Sequence, residues 1–205
     1  MKHGKPVCFA SVDIESDGNN PIKHSMRSIG IAVFDSVYTH NIPVTPIDTF
    51  YTTIQPREDA TVDPVCYNSF WAHQQTAWNE LNLAPVPACT AMSQMARWLE
   101  NLQANYTIKW VASPACFDWM FVKCYYEAYG PPNKPPIGFF CHDLTSLVRC
   151  YMEIYNIRDR DTLYNDLAQG HRPDHNALTD AIYQGVVYVR LRQRIGKRQR
   201  YRKPR

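Results

Sequence analysis

Val7-Cys8-Phe9-Ala10-Ser11-Val12-Asp13-Ile14-Glu15 is an apolar run that closes on two carboxylates one residue apart. A short apolar stretch followed by turn formers reads as a β-strand, expected here over residues 6–13. Side chains two apart on a strand share a face. Asp13 and Glu15 therefore project together from the strand end, where they can hold a hard divalent cation. Ser16-Asp17-Gly18-Asn19-Asn20-Pro21 then forms a turn-rich loop.

Arg27 to Phe34 and residues 47–54 read as second and third strands, rich in β-branched and aromatic residues. The three can form a meander. Asp63-Pro64 opens a helical stretch through Leu81, with Phe70, Trp71, Trp78 and Leu81 as its apolar face. Pro85 and Pro87 break it. Thr90 caps a helix whose Met92, Met95, Trp98, Leu99 and Leu102 recur at helical spacing, and the stripe reads as core. Residues 107–112 are a fourth strand, and Phe117 to Tyr129 a helix ended by Gly130-Pro131-Pro132. Phe139-Phe140-Cys141 is a short fifth strand. Asp143 caps a helix to about Tyr155, residues 158–174 read as irregular, and a last helix runs from Asn176 to about Gln193. Strands followed by alternating helices and strands imply an α/β domain with a mixed sheet of about five strands.

The chain has 205 residues, 45% apolar and 20% charged, which suits one globular domain. Its net charge of +3 is unevenly spread. Nine Lys and Arg fall in the last sixteen positions, and without them the remainder carries −6. Residues 1–193 are thus expected to form the domain, and 194–205 a basic, disordered tail. That end is either plain solvated charge or an attractor of phosphate. Seven cysteines with no C-x-x-C pair read as reduced thiols of an intracellular protein, with Cys8 and Cys116 as small core residues. No signal peptide or membrane span is visible.

Three further residues complete a constellation with Asp13 and Glu15. Asp118 stands at the junction of the fourth strand and the next helix, where it can be a ligand or a plain N-cap. Asp180 sits in the last helix among Ala177, Leu178, Ala181 and Ile182, where an unpaired carboxylate is costly. His175, five residues earlier, can take a proton from an attacking water near neutral pH. His171 competes through a H-x-x-x-H spacing, but Pro173 argues against a helix there. Four carboxylates on one spot repel each other without metal, and with two metal ions they suit phosphodiester cleavage.

In order and spacing the set resembles the DEDDh 3′–5′ exonucleases, which have a ribonuclease H-like fold. The D-x-E motif is Asp13-Ile14-Glu15, the F-D pair is Phe117-Asp118, and H-x-x-x-x-D is His175-Asn176-Ala177-Leu178-Thr179-Asp180. The likeness spans about 1–193 and, with Ser25-Met26 ahead of the second strand, is to a compact prokaryotic or viral exoribonuclease branch. It implies the following roles. Asp13 bridges two Mg²⁺ or Mn²⁺ ions, Glu15 and Asp180 complete one site, and Asp118 supports the other. His175 is the general base, and the backbone at Ile14 and Ser16 holds the terminal nucleotide. The substrate would be a single-stranded RNA or DNA 3′ end, and members are often homodimers. Phe70, Trp71 and Trp78 fall where a substrate-side helix would stack bases. One departure is Ser113-Pro114-Ala115, where the family often has His-Asn-Ala. Rival readings are an endonuclease of the same fold, a catalytically weak nucleic-acid-binding module, and an interaction protein with a structural metal. The compartment expected is cytoplasmic, or a host cell if the source is viral.

Overall fold

The structure, a computed structural model, describes residues 4–36 and 43–201. Its centre is a five-stranded sheet in the order β3-β2-β1-β4-β5. Strands β1 (Val7–Ser16), β2 (Met26–Asp35) and β3 (Asp48–Thr53) form the expected antiparallel meander. Strands β4 (Thr107–Ala112) and β5 (Cys141–Asp143) run parallel to β1. The helices are α1 (Pro64–Ser69), α2 (Gln75–Glu80), α3 (Ala88–Asn105), α4 (Ala115–Tyr129), α5 (Leu144–Tyr155), α6 (Arg160–Ala168) and α7 (Ala177–Tyr201). The result is a mixed ribonuclease H-like sheet flanked by helices.

The pleat of β1 sorts its side chains into two cores. Cys8, Ala10, Val12 and Ile14 join Ile29, Ile31 and Val33 beneath α3 and α4. Phe9 joins Ala32, Phe34 and Val111 beneath α5, α6 and α7. A strand covered on both faces must be apolar on both, hence the nearly unbroken run. The methionine stripe is core as expected, with Met92 and Met95 fully buried. Helix α7 crosses β2 closely enough that a Cβ on Gly30 would lie 2.2 Å from the carbonyl carbon of Ala177. Gly30 pairs with Asp13 across the sheet, so this missing side chain lets the start of α7 approach the first carboxylate.

Several expectations need correction. The helix expected from Asp63 to Leu81 is three pieces: α1, a 3₁₀ turn at Trp71–His73, and α2. Phe70 and Gln74 leave helical geometry, at φ −129° and −124°. The break buries Trp71, whose indole N–H donates to the Ser16 carbonyl at 3.0 Å. Residues expected to be irregular contain α6, capped by Asp159 and seated through Leu163 and Leu167. Strand β5 begins at Cys141, and Phe139 and Phe140 stand outside it, 87% and 89% exposed. Helix α3 starts at Ala88 with Pro87 at its cap, ahead of Thr90. Cys8 is buried but Cys116 is exposed, and all seven cysteines are free thiols. Helix α7 continues through Tyr201, past the expected end near Gln193. Its Arg192 lies over the Phe9 ring at 4.7 Å, and Arg194 pairs with Asp166. Residues 202–205 of the basic end lie outside the described residues. Among the described residues no helix is long and apolar enough to cross a membrane.

Candidate active site

The five residues picked from the sequence converge at one end of the sheet. Strand β1 stays paired with β2 through Asp13, Ile14 and Glu15, and a bulge follows between Glu15 and Ser16. Asp13 and Glu15 therefore share a face, and both are buried. Asp118 lies in the first turn of α4, whose cap is Pro114 without a side-chain hydrogen bond. The N-cap reading of Asp118 is thereby excluded. Its Oδ1 accepts the Ile14 N–H at 3.3 Å, while its buried Oδ2 has no hydrogen-bond partner. Asp180, in the first turn of α7, accepts the Asp174 N–H at 2.9 Å.

His175 precedes α7 in the left-handed region, at φ 64°. That backbone is uncommon outside glycine, although His tolerates it better than most residues. It is retained where surrounding contacts fix it. Asn176 supplies them, because its Oδ1 accepts the N–H groups of Leu178 and Thr179 and so caps α7. The Phe70 ring packs edge-on to the imidazole, with centroids 4.8 Å apart. Ligand atoms of Glu15, His175 and Asp180 lie within 4.8 Å of one another. His171 is exposed and outside this cluster.

Burial dominates the electrostatics, and crowding adds to it. Burial pushes the Asp13 carboxyl well above the usual range, and the charges of Asp118, Glu15 and Asp180 add to it. Glu15 is raised by burial, then by Asp180, Asp118 and Asp174. Burial pushes Asp118 up to about 7, against lowering by backbone N–H groups. Asp180 is also raised, burial outweighing the Asp174 N–H bond and the His175 charge. Among the described residues no Lys or Arg pairs with any of the four. Such a set lacks a counter-charge, and its oxygen donors suit a hard divalent cation. The unpartnered Asp118 Oδ2 fits the same need.

Sequence reasoning missed several supports. Gln184, one turn beyond Asp180 on α7, donates to Asp13 Oδ1 at 2.5 Å. Its i,i+4 spacing from Asp180 was the available signal. Gly30 admits α7 and gave no local sign. Below the loop after β1, Asp17 and Arg27 form a buried ion pair at 2.9 Å, and Arg27 also reaches Asn82. Ile14 and Ser16 stand beside the carboxylates, but the Ile14 N–H and Ser16 carbonyl already bond to Asp118 and Trp71. Trp71 is 1% exposed and cannot stack a base, whereas Phe70 is half-buried beside His175. Ser113 follows β4, and its hydroxyl shares a 3.0 Å hydrogen bond with that of Thr145.

Known proteins resemble the chain in sequence and in architecture. The Rv2179c-like 3′–5′ exoribonuclease domain family matches residues 8–190. The chain is 27% identical over 195 residues to the 3′–5′ DNA exonuclease Cap18 of Escherichia coli, covering 92% of each. The nuclease domain of 3′hExo, a DEDDh family member solved with rAMP, superposes with a TM-score of 0.63 at 14% identity. That match covers 92% of this chain and 93% of the other. The E. coli ExoI–ssDNA complex, in a zinc-bound form, gives a TM-score of 0.65 at 15% identity. It covers 96% of this chain and 43% of that one. The match running from the first strand into the last helix places the chain in the Rv2179c-like 3′–5′ exoribonuclease domain family.

Proposed function

We propose that the chain removes nucleoside 5′-monophosphates one at a time from the 3′ end of single-stranded nucleic acid. In this reading Asp13, Glu15, Asp118 and Asp180 hold two divalent cations, Mg²⁺ or Mn²⁺, and His175 is the general base. The observation that carries it is the burial of four carboxylates together, one with an unpartnered oxygen, beside an imidazole. Bound cations would stabilise the charge that develops on the phosphoryl group and the departing 3′ oxygen. His175 takes a proton from the attacking water at a ring nitrogen, and the Phe70 edge orients that ring. Gln184 fixes one oxygen of Asp13 and leaves the other free to bind. The exposed part of Phe70 seats the terminal nucleotide next to Ile14 and Ser16, where the Ile14 N–H and the Ser16 carbonyl hold Asp118 and Trp71 in place.

The family description names RNA and the E. coli relative's name DNA, so the reading covers both sugars. Residues 1–193 form the catalytic domain, and the basic end at 194–205 adds phosphate attraction. The homodimer expected from the resemblance belongs to the same proposal and is tested by light scattering. The main test is a time course on 3′-labelled, 5′-labelled and circular single strands of each sugar. Mononucleotides released first from the 3′ label, with circles untouched, are expected. Cuts in the circle would favour an endonuclease, and no cleavage of any substrate would favour a binding module.

A further inference from the structure

Next to the carboxylates lies an open cavity of about 640 Å³ between α6 and α7. Its floor carries Asp13, Asp180 and Gln184, and one wall is built by Arg160, the first residue of α6. The Arg160 guanidinium lies 5.1 Å from the centre of the Tyr164 ring. Tyr164 is stacked on Tyr183, with centroids 6.3 Å apart and planes within 19°. Tyr183 is three residues beyond Asp180 on the same helix. The guanidinium is thus tied through two rings to the helix that carries the third acidic motif.

Charge makes this placement informative. Among the described residues Arg160 is the sole cation lining the cavity, where the other charged groups are Asp13, Asp161 and Asp180. It makes no ion pair with any of them. A polyanionic strand brought over four carboxylates meets repulsion on this side. A planar guanidinium resting on an aromatic face keeps its donors free, and its fork suits phosphate oxygens. Phe70, packed on His175, lies outside the lining of this cavity.

We infer that Arg160, held by the Tyr164–Tyr183 stack, binds the backbone phosphate on the 5′ side of the scissile one. This rests on the proposed site, in which the terminal nucleotide lies on the Phe70 flank and the rest of the strand leaves through the cavity. Arg160 positions the strand and takes no part in proton transfer.

The test compares Arg160→Ala and Arg160→Lys with the unaltered protein on two substrates. One is a ten-nucleotide single strand. The other is a nucleoside 5′-phosphate p-nitrophenyl ester, which has a scissile phosphate and no other. Arg160→Ala should raise KM for the strand about tenfold, since a charge-assisted bond is worth ~1.5 kcal/mol or more. It should leave kcat and hydrolysis of the ester unchanged, with Arg160→Lys in between. Strand affinity measured in EDTA should show a salt slope shallower by about 0.7, as for one lost phosphate contact. Unaltered strand KM and salt slope would overturn the inference, as would an equal loss on the ester. An unaltered protein that hydrolyses neither substrate would contradict the exonuclease site itself, and the EDTA salt slope would still decide for or against Arg160.

Discussion

Replacing Asp118 by Asn should stabilise the cation-free protein at pH 8 while removing its response to cations. Asp118 is 2% exposed, and its carboxyl is pushed from 3.8 up to about 7 by burial. A carboxyl whose pKa is raised on folding binds protons more tightly in the folded state. Its contribution is then fully present below pH 4 and lost as pH rises through 7. At about 1.4 kcal/mol for each pH unit between those values, the ionised group costs the folded state on the order of 4 kcal/mol at pH 8. Asp13, Glu15 and Asp180 act in the same direction. In EDTA the unaltered protein should therefore be less stable at pH 8 than at pH 5. In Asp118→Asn the side-chain carbonyl still accepts from Ile14 and the amide adds a donor toward the other acids, so the change relieves the repulsion. At pH 8 in EDTA the variant should melt about 8–16 °C higher, since 1 kcal/mol shifts a chain this size by roughly 2–4 °C. With Mg²⁺ at a hundred times its dissociation constant, the unaltered protein should gain ~2.7 kcal/mol and the variant much less. Calorimetry at the two pH values, with EDTA and with Mg²⁺, reads all of this. Equal stability of the unaltered protein at pH 5 and pH 8 in EDTA, or a variant less stable at pH 8, would refute the reasoning.

Three further outcomes are expected. Gly30→Ala places a Cβ 2.2 Å from Ala177 backbone atoms, which cannot rotate away as a side chain would. It should cost about 2–3 kcal/mol in urea unfolding and lower the cleavage rate by moving Asp180 from Asp13; wild-type stability would show that α7 shifts freely. Gln184→Leu removes the bond to Asp13 Oδ1 and should weaken Mn²⁺ affinity about tenfold in calorimetric titration. An unchanged Mn²⁺ affinity would reduce Gln184 to a packing residue. Deleting 196–205 should make single-strand binding less salt-dependent if the basic end holds phosphates, whereas an identical slope would make it plain solvated charge.

Those parts of the site that rest on local pattern were legible in the sequence. A strand end fixes the relation of Asp13 to Glu15, and the H-x-x-x-x-D spacing set His175 close to Asp180, although His175 stands before α7 and not on it. The meander and the fourth strand followed from apolar runs rich in β-branched and aromatic residues. What escaped depends on packing between distant segments. Gly30 reads as an ordinary strand glycine until α7 lies over it. The helix expected from Asp63 to Leu81 breaks because Trp71 is worth more bonded to Ser16 and buried than on a regular helix. Helix α6 was hidden by the charges at 159–161 and by Gly170 and Pro173, which masked Leu163 and Leu167. Trp71 read as a stacking surface because burial of an aromatic side chain is invisible in its own neighbourhood.

The most direct test of the central claim is hydrolysis of a 3′-labelled strand by the unaltered protein and Asp13→Ala, each with Mg²⁺, Mn²⁺ or EDTA, with melting curves beside them. Metal-dependent release of mononucleotide, absent in EDTA and lost in a variant that still melts cooperatively, is predicted. Cleavage by folded Asp13→Ala at the unaltered rate, or full activity in EDTA, would contradict the assignment of the carboxylate cluster as the catalytic centre.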